Sequence, residues 1–271
     1  MEGIGPLPTP SPTAPGVPMK AWLIDFEGIA MIWQRDMTRL WRQRTRLVGA
    51  VARALVWLFA LGFGLRRSFA PVSGFSYEQF VFPGVIAMTL IFSALQSAIS
   101  IVYDREFGFL KEVQVAPTPR STLIIGKCFG CASSATVQAL IVLLFAPFAS
   151  VRLTPASAAL ALAAMFVTAL AISSLGVVIA MCITDIESFG TLQNFITLPM
   201  YMFSGAIFPT QGVPGWLAAI LVVNPLSYGV NAIRGALLGY QEAQMPFDFA
   251  VLCGFMVVML AIAGLLSRRE L

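Results

Sequence analysis

The sequence predicts an all-α polytopic membrane protein. It has six transmembrane helices, preceded by an amphipathic interfacial helix, with a short re-entrant or interfacial helical pair between spans five and six. Three observations carry this. The 271-residue chain is 58% hydrophobic, with a mean hydropathy of +0.83. Only 11% of it is charged, less than half of the about 25% usual in a soluble domain. Its apolar residues gather into runs of about 20, the length that crosses a hydrocarbon core. Lipid explains all three, because a lipid-facing helix needs apolar side chains all round and satisfies its own backbone.

Residues 1–19 form a proline-rich tail. Pro6, Pro8, Pro10, Pro12, Pro15 and Pro18 interrupt it and it has no apolar core, so a disordered, partly extended segment is expected rather than a cleavable signal. The sequence leaves open whether Met1 or Met19 starts the chain. Residues 20–46 follow a helical period. At about 100° per residue, Trp22, Phe26, Ile29, Trp33, Met37 and Leu40 fall on one stripe, and Arg35, Arg39, Arg42 and Arg46 fall opposite. An apolar face with tryptophans against an arginine face describes a helix lying in the headgroup plane.

The six-span domain then covers residues 47–271. The candidate spans are Leu47–Leu65, Phe80–Val102, Thr122–Ser150, Ala156–Ile183, Gly190–Phe208 and Phe249–Leu266. Pro199 should kink the fifth. Val213–Val223 is apolar but too short to cross, so it should dip into the outer leaflet or lie on it. Tyr228–Tyr240 then reads as a helix, with Arg234 facing water or headgroups. Six spans put both termini on one side. If that side is cytoplasmic, it holds twelve of the basic residues and the opposite side four, Arg66, Arg67, Arg152 and Arg234. This asymmetry places both termini, and the charged stretch Tyr103–Ser121, in the cytoplasm. Arg53, inside a span, is expected to snorkel back to the cytoplasmic interface.

Several function classes are excluded by what the chain lacks. There is no histidine, the usual neutral-pH acid/base. Cys128 and Cys131 are too few for a zinc site and read as small packing residues. Gly126-Lys127 resembles the tail of a phosphate-binding loop, but Ser121 stands where its first glycine belongs and Cys128 where Ser/Thr belongs. Every Asp and Glu falls in a loop, a tail or a span end, which argues against an ion-coupled carrier. The net charge of +4 suits loops facing anionic lipid, and no basic patch suggests nucleic acid. Gly126, Gly130 and Ser134 form a small-residue stripe on span three. Ser93, Gln96, Ser97 and Ser100 on span two, and Gln193, Asn194 and Thr197 on span five, form polar stripes. All three suit helix packing.

Three stretches together resemble the ABC-2 type permeases, the membrane subunits of ABC exporters such as those for daunorubicin-type drugs and nodulation oligosaccharides. They are REFGFLKEVQVAPTPRSTLIIGK (Arg105–Lys127), LPMYMFSGAIFP (Leu198–Pro209) and NPLSYGVNAIRGALLG (Asn224–Gly239). The likeness covers roughly residues 25–271. It implies a bacterial inner-membrane permease that works as a homodimer with a separate ATPase subunit. ATP and magnesium would be held by that partner, and this chain would carry no cofactor and no catalytic residue. A coupling element to the ATPase maps to Arg105, Glu106, Phe107, Gly108, Phe109, Leu110, Lys111 and Glu112. Asp185 and Glu187, in the short second cytoplasmic loop, add contact. Phe92, Phe195, Met202 and Phe203 are candidates for an apolar translocation gate along a path lined by spans two and five. The expected function is export of an amphipathic small molecule, lipid or glycan. The rivals are an ion-coupled carrier, a lipid-modifying membrane enzyme and a non-transporting subunit of an ABC complex.

Overall fold

A computed structural model describes residues 25–64, 71, 74–106, 120–210, 212–239 and 244–269. The proline-rich tail and residues 107–119 therefore lie outside the described residues.

Among the described residues the chain forms nine α-helices. Helix α1 (Phe26–Arg42) starts where the Asp25 carboxylate accepts the Glu27 N–H at 3.1 Å, a standard N-cap. It ends at Gln43, whose φ of −91° and ψ of 61° leave the helical region. Helix α2 (Arg44–Trp57) follows at once and runs into a π-helical turn, Leu58–Phe63. The predicted boundary between interfacial helix and first span, at residue 46, thus falls three residues late. The break turns the chain so that α2 runs along α3.

Helix α3 (Tyr77–Glu106) has 30 residues, about 45 Å at 1.5 Å per residue. This exceeds the about 30 Å hydrocarbon core, so its ends stand outside it. Helix α4 spans Arg120–Leu143. It stops seven residues before the predicted end at Ser150, because Pro147 opens a 3₁₀ turn (Ala146–Ala149) and Ser150 takes a left-handed φ of 56°. Helix α5 (Pro155–Cys182) opens with a capping box between Thr154 and Ser157, with proline at its first position.

Helix α6 (Ile186–Met202) is the predicted fifth span, shortened to 17 residues. Pro199 sits in its last turn and Gly205 leaves it at φ +71°, so residues 203–208 are not helical. Helices α7 (Gly215–Val223) and α8 (Pro225–Leu238) form the expected short pair, bent by 83°. Pro225 fits the first position of α8, and Gly239 closes it at φ +64°. Helix α9 (Met245–Arg269) ends the described chain.

Among the described residues, five segments are long and apolar enough to cross a membrane: Arg44–Phe63, Tyr77–Glu106, Ser121–Leu143, Pro155–Cys182 and Met245–Ser267. The bent pair makes a sixth if it counts as one span. The 17-residue α6 reaches about 25 Å, the short limit for crossing.

Helix α3 is the hub. It packs against α2, α4, α5, α6 and α8, and Phe80, Val81, Phe82, Ile86, Leu90, Ile91 and Leu95 have no exposed surface. Helices α1 and α9 lie outside this core, α1 on α4 and α9 on α5 and α8.

The α7–α8 end of the bundle is tied by polar side chains to backbone. Asn224 donates through Nδ2 to the carbonyls of Met200 (2.7 Å) and Phe203 (2.9 Å), and its Oδ1 accepts the Leu226 N–H. One residue thus closes α6 and caps α8. Tyr77 donates to Ile207 O at 3.1 Å. Arg234 corrects its sequence assignment to water or headgroups: it is 2% exposed. It donates to Gly205 O (2.9 Å) and Phe80 O (3.4 Å) and stacks over the Phe80 ring at 3.9 Å. A guanidinium can enter the core this way because carbonyls and a π face replace its water.

Candidate functional site

The opposite end of the bundle collects the charges. Helix α3 ends there at Glu106 and α4 begins there at Arg120, on either side of residues 107–119. The α5–α6 turn, with Asp185, lies at the same end.

Four charged side chains from three helices meet next to these helix ends. Arg35 Nη2 contacts Asp104 Oδ2 at 2.7 Å. Lys127 Nζ lies 2.9 Å from the same oxygen and 3.4 Å from Asp36 Oδ1. Arg35 Nε lies 3.9 Å from Asp36 Oδ1. Lys127 also donates to Ser100 Oγ at 3.2 Å. Asp36 and Lys127 are both 8% exposed. A buried lysine between two carboxylates and a hydroxyl is the arrangement that lets such a charge leave water. Asp104 is two residues from the end of α3 and Lys127 lies in the second turn of α4. The cluster therefore ties both flanks of the 107–119 segment to α1.

Small residues permit this approach. A Cβ on Gly126 would lie 3.0 Å from Ile32 Cδ1, and one on Gly130 would lie 2.5 Å from Asp36 Oδ2. Helix α1 runs alongside α4: Asp25 meets Thr122, Ile32 meets Gly126 and Asp36 meets Gly130. Trp33 Nε1 donates to Ser133 Oγ at 2.9 Å across the same contact. We expect Gly130→Ala to cost about 1–3 kcal/mol by pushing α1 away. Thermal unfolding in detergent checks this against Gly254→Ala, where a Cβ meets nothing within 4 Å; equal melting of the two would refute the close packing.

The arginine face of α1 is only partly free to meet headgroups: Arg35 reaches Asp104 and Arg39 lies 5.8 Å from the Tyr103 ring, both on α3, while Arg42 stays exposed. At the start of α2, Arg46 donates to Ser97 Oγ at 2.6 Å. On α2, Arg53 lies over Phe92 at 4.6 Å. Outward-facing apolar residues remain on α1, with Phe26 79%, Trp33 43% and Trp41 65% exposed. Helix α1 is thus amphipathic, but its polar side is a docking face.

Arg105, in the predicted coupling set, points away from solvent. Its Nη1 donates to the carbonyls of Met181 (3.1 Å) and Ile183 (3.3 Å), which belong to the end of α5. It bridges the two predicted coupling regions. Glu106 is exposed. Phe107, Gly108, Phe109, Leu110, Lys111 and Glu112 lie outside the described residues. Asp185 and Glu187 are exposed at the start of α6. The Asp185 carboxylate accepts the Ser188 N–H at 2.7 Å, and this bond holds its pKa below the ordinary carboxylate value. The cap is therefore present at neutral pH and is lost as pH falls through that lowered value. Asp185, Glu187, Ser188, Thr191, Leu192 and Phe195 line a surface groove of about 420 Å³.

The four gate candidates do not meet as one cluster. Phe92 is half-buried beneath Arg53. Phe195 is 75% and Met202 54% exposed, on one face of α6. Phe203 is half-buried just past its end. Among the described residues no ring contact joins Phe92, Phe195 and Phe203. Helix α6 is buried only along Phe189, Gln193, Thr197 and Tyr201, where Gln193 donates to Gln96 of α3 at 3.3 Å.

Sequence reasoning passed over Arg35, Asp36, Asp104 and Lys127 as an ion cluster. Two signals were present. Asp36 is the one acid in the interior of α1, and Lys127 lies between two glycines of a small-residue stripe. The Gly126-Lys127 pair that imitates a phosphate loop is a helix-packing site with a buried cation.

The profile of the family described as ABC-2 type transporter matches residues 27–238, from the start of α1 to the end of α8. The candidate transport permease ycf38 of Porphyra purpurea is 32% identical over 219 residues, covering 77% of this chain and 73% of its own. Nodulation protein J of Rhizobium leguminosarum bv. viciae is 27% identical over 245 residues, covering 89% and 93%. The inner membrane transport permease YadH of Escherichia coli (strain K12) is 24% identical over 251 residues, covering 88% and 93%. The family match covers eight of the nine described helices, and the chain belongs to the ABC-2 type transporter family as a multi-pass transport permease.

Proposed function

We propose that this permease is the membrane subunit of an ATP-driven exporter in a bacterial inner membrane. It works as a homodimer, with both termini in the cytoplasm. ATP and magnesium sit on a separate ATPase subunit, which docks on the segment from Arg105 to Glu112 and on the turn carrying Asp185 and Glu187. An amphipathic small molecule, lipid or glycan then crosses between two copies, along α3 and α6, past Phe92, Phe195, Met202 and Phe203.

One observation carries this reading: the anchoring of both flanks of the 107–119 segment. Asp104 is held in the ion cluster with α1 and α4, and Arg105 grips the end of α5. A push on this segment reaches four helices through short polar contacts. Apolar anchors with rim charges, such as Phe109 three residues after Glu106 in the sequence, suit a cleft on a soluble partner.

The test is a reconstituted complex of the permease with its ATPase. Replacing Phe109 and Glu106 by alanine should lower coupled transport about tenfold or more, the effect of losing an interface anchor. Transport and ATP turnover both at wild-type level would sink the coupling assignment. The permease alone should hydrolyse no ATP.

A further inference from the structure

A cavity of about 190 Å³ lies where α1, α2, α3 and α4 meet. Asp36, Arg39, Gln43, Arg46, Ser97 and Tyr103 are among the residues that line it. Its walls are polar and its charge is unbalanced. Among the lining residues, Arg39 and Arg46 face one carboxylate, Asp36, which already pairs with Lys127. That leaves two cations in excess, Arg39 and Arg46. Arg39 meets a tyrosine ring. Arg46 donates through Nη2 to Ser93 O and Ser97 Oγ, while its buried Nε makes no hydrogen bond among the described residues. An unsatisfied buried guanidinium N–H is costly and calls for an acceptor.

The start of α2 adds to this. Its N-cap Gln43 lines the cavity and makes no side-chain cap. Uncapped first-turn amides favour an anion. Gln96, on the cavity wall, is exposed beside Gln193 of α6 and marks its mouth. The exposed Trp33 and Trp41 of α1 place this region at headgroup level.

We infer that this cavity binds the phosphate of an anionic lipid from the leaflet around α1, with Arg46 and Arg39 as its ligands. The bound headgroup ties α1, α2 and α3 together next to the ion cluster. The chemistry recognised is a phosphate oxyanion, and the lipid is favoured over a free ion because the mouth opens beside the tryptophan-bearing helix.

The experiment measures lipid retention by the purified full-length chain in detergent, using native mass spectrometry. The probes are phosphatidylglycerol, phosphatidylcholine and inorganic phosphate. Phosphatidylglycerol should bind in preference to phosphatidylcholine, and Arg46→Gln and Arg39→Gln should each weaken it about tenfold, the effect of losing one charged hydrogen-bond partner. Arg42→Gln removes an exposed arginine of the same helix and should leave binding unchanged. Melting temperatures show that each variant is folded, and Arg39, half-buried at the cavity wall, keeps the test open if Arg46→Gln fails to fold. Equal loss in Arg42→Gln would show diffuse surface attraction and overturn the site. Displacement of the lipid by millimolar inorganic phosphate would also overturn it, because a soluble ion would then be the ligand.

Discussion

Replacing Lys127 by methionine is expected to destabilise the protein by about 3–5 kcal/mol, a drop in Tm of roughly 10 °C. Lys127 is the partner that Asp36 and Asp104 share. Without it Asp104 keeps the half-exposed Arg35 at 2.7 Å, but Asp36 keeps only the 3.9 Å contact to Arg35 Nε. Asp36 Oδ2 already has no hydrogen-bond partner among the described residues. A buried carboxylate left so exposed to low dielectric is the large term, more than the lost attraction itself. The double variant Lys127→Met, Asp36→Asn removes the stranded charge and should recover part of the loss. Thermal unfolding of the three chains in detergent reads the difference. A Lys127→Met protein that melts with the wild type would show that the cluster contributes no stability.

The second large effect lies at the other end of the bundle. Arg234→Leu should cost about 3–5 kcal/mol, from two charged hydrogen bonds and a desolvated ring contact. It leaves Gly205 O and Phe80 O without their donor in a buried site. Arg234→Lys should recover only part, because an ammonium lacks the flat guanidinium face that stacks on Phe80 while Nη2 bonds both carbonyls. The local consequence is as specific as the global one. Residues 203–208 are held by Arg234, Asn224 and Tyr77, so hydrogen exchange there should speed up in Arg234→Leu before the amides of α3 respond. Unchanged exchange in that turn would remove Arg234 from the set of ties.

Much of the fold follows from local pattern. Runs of apolar residues located α2, α3, α5 and α9 to within a few residues. The short pair between spans five and six was expected, but its second helix was read from Tyr228 and begins at Pro225, because proline suits a helix start and Asn224 caps it. The ends of α4 and α6 were misplaced where hydropathy continues past the helix. Residues 144–150 and 203–208 stay apolar, but Pro147 and Gly205 redirect the backbone. Hydropathy does not register a break made by conformation rather than polarity.

The candidate site divides in the same way. That Arg105, Asp185 and Glu187 gather at one end of the bundle was legible, because charge in an apolar chain must leave the membrane and collect at its faces. The bonding of Arg105 to the end of α5 was not legible, since it depends on where two distant helices come together.

By itself the sequence determined the helical, multi-pass character of this permease, because burial of backbone in lipid permits little else. It also determined where charges congregate. Only the tertiary structure decided what those charges do. Arg35, Arg39 and Arg46 were read against headgroups and are received by Asp104, Tyr103 and Ser97 of α3. Arg234 was read as exposed and is one of the most buried side chains in the protein. The reason is physical: a helical period reports which residues share a face, but the partner of that face is set by helices far away in the chain.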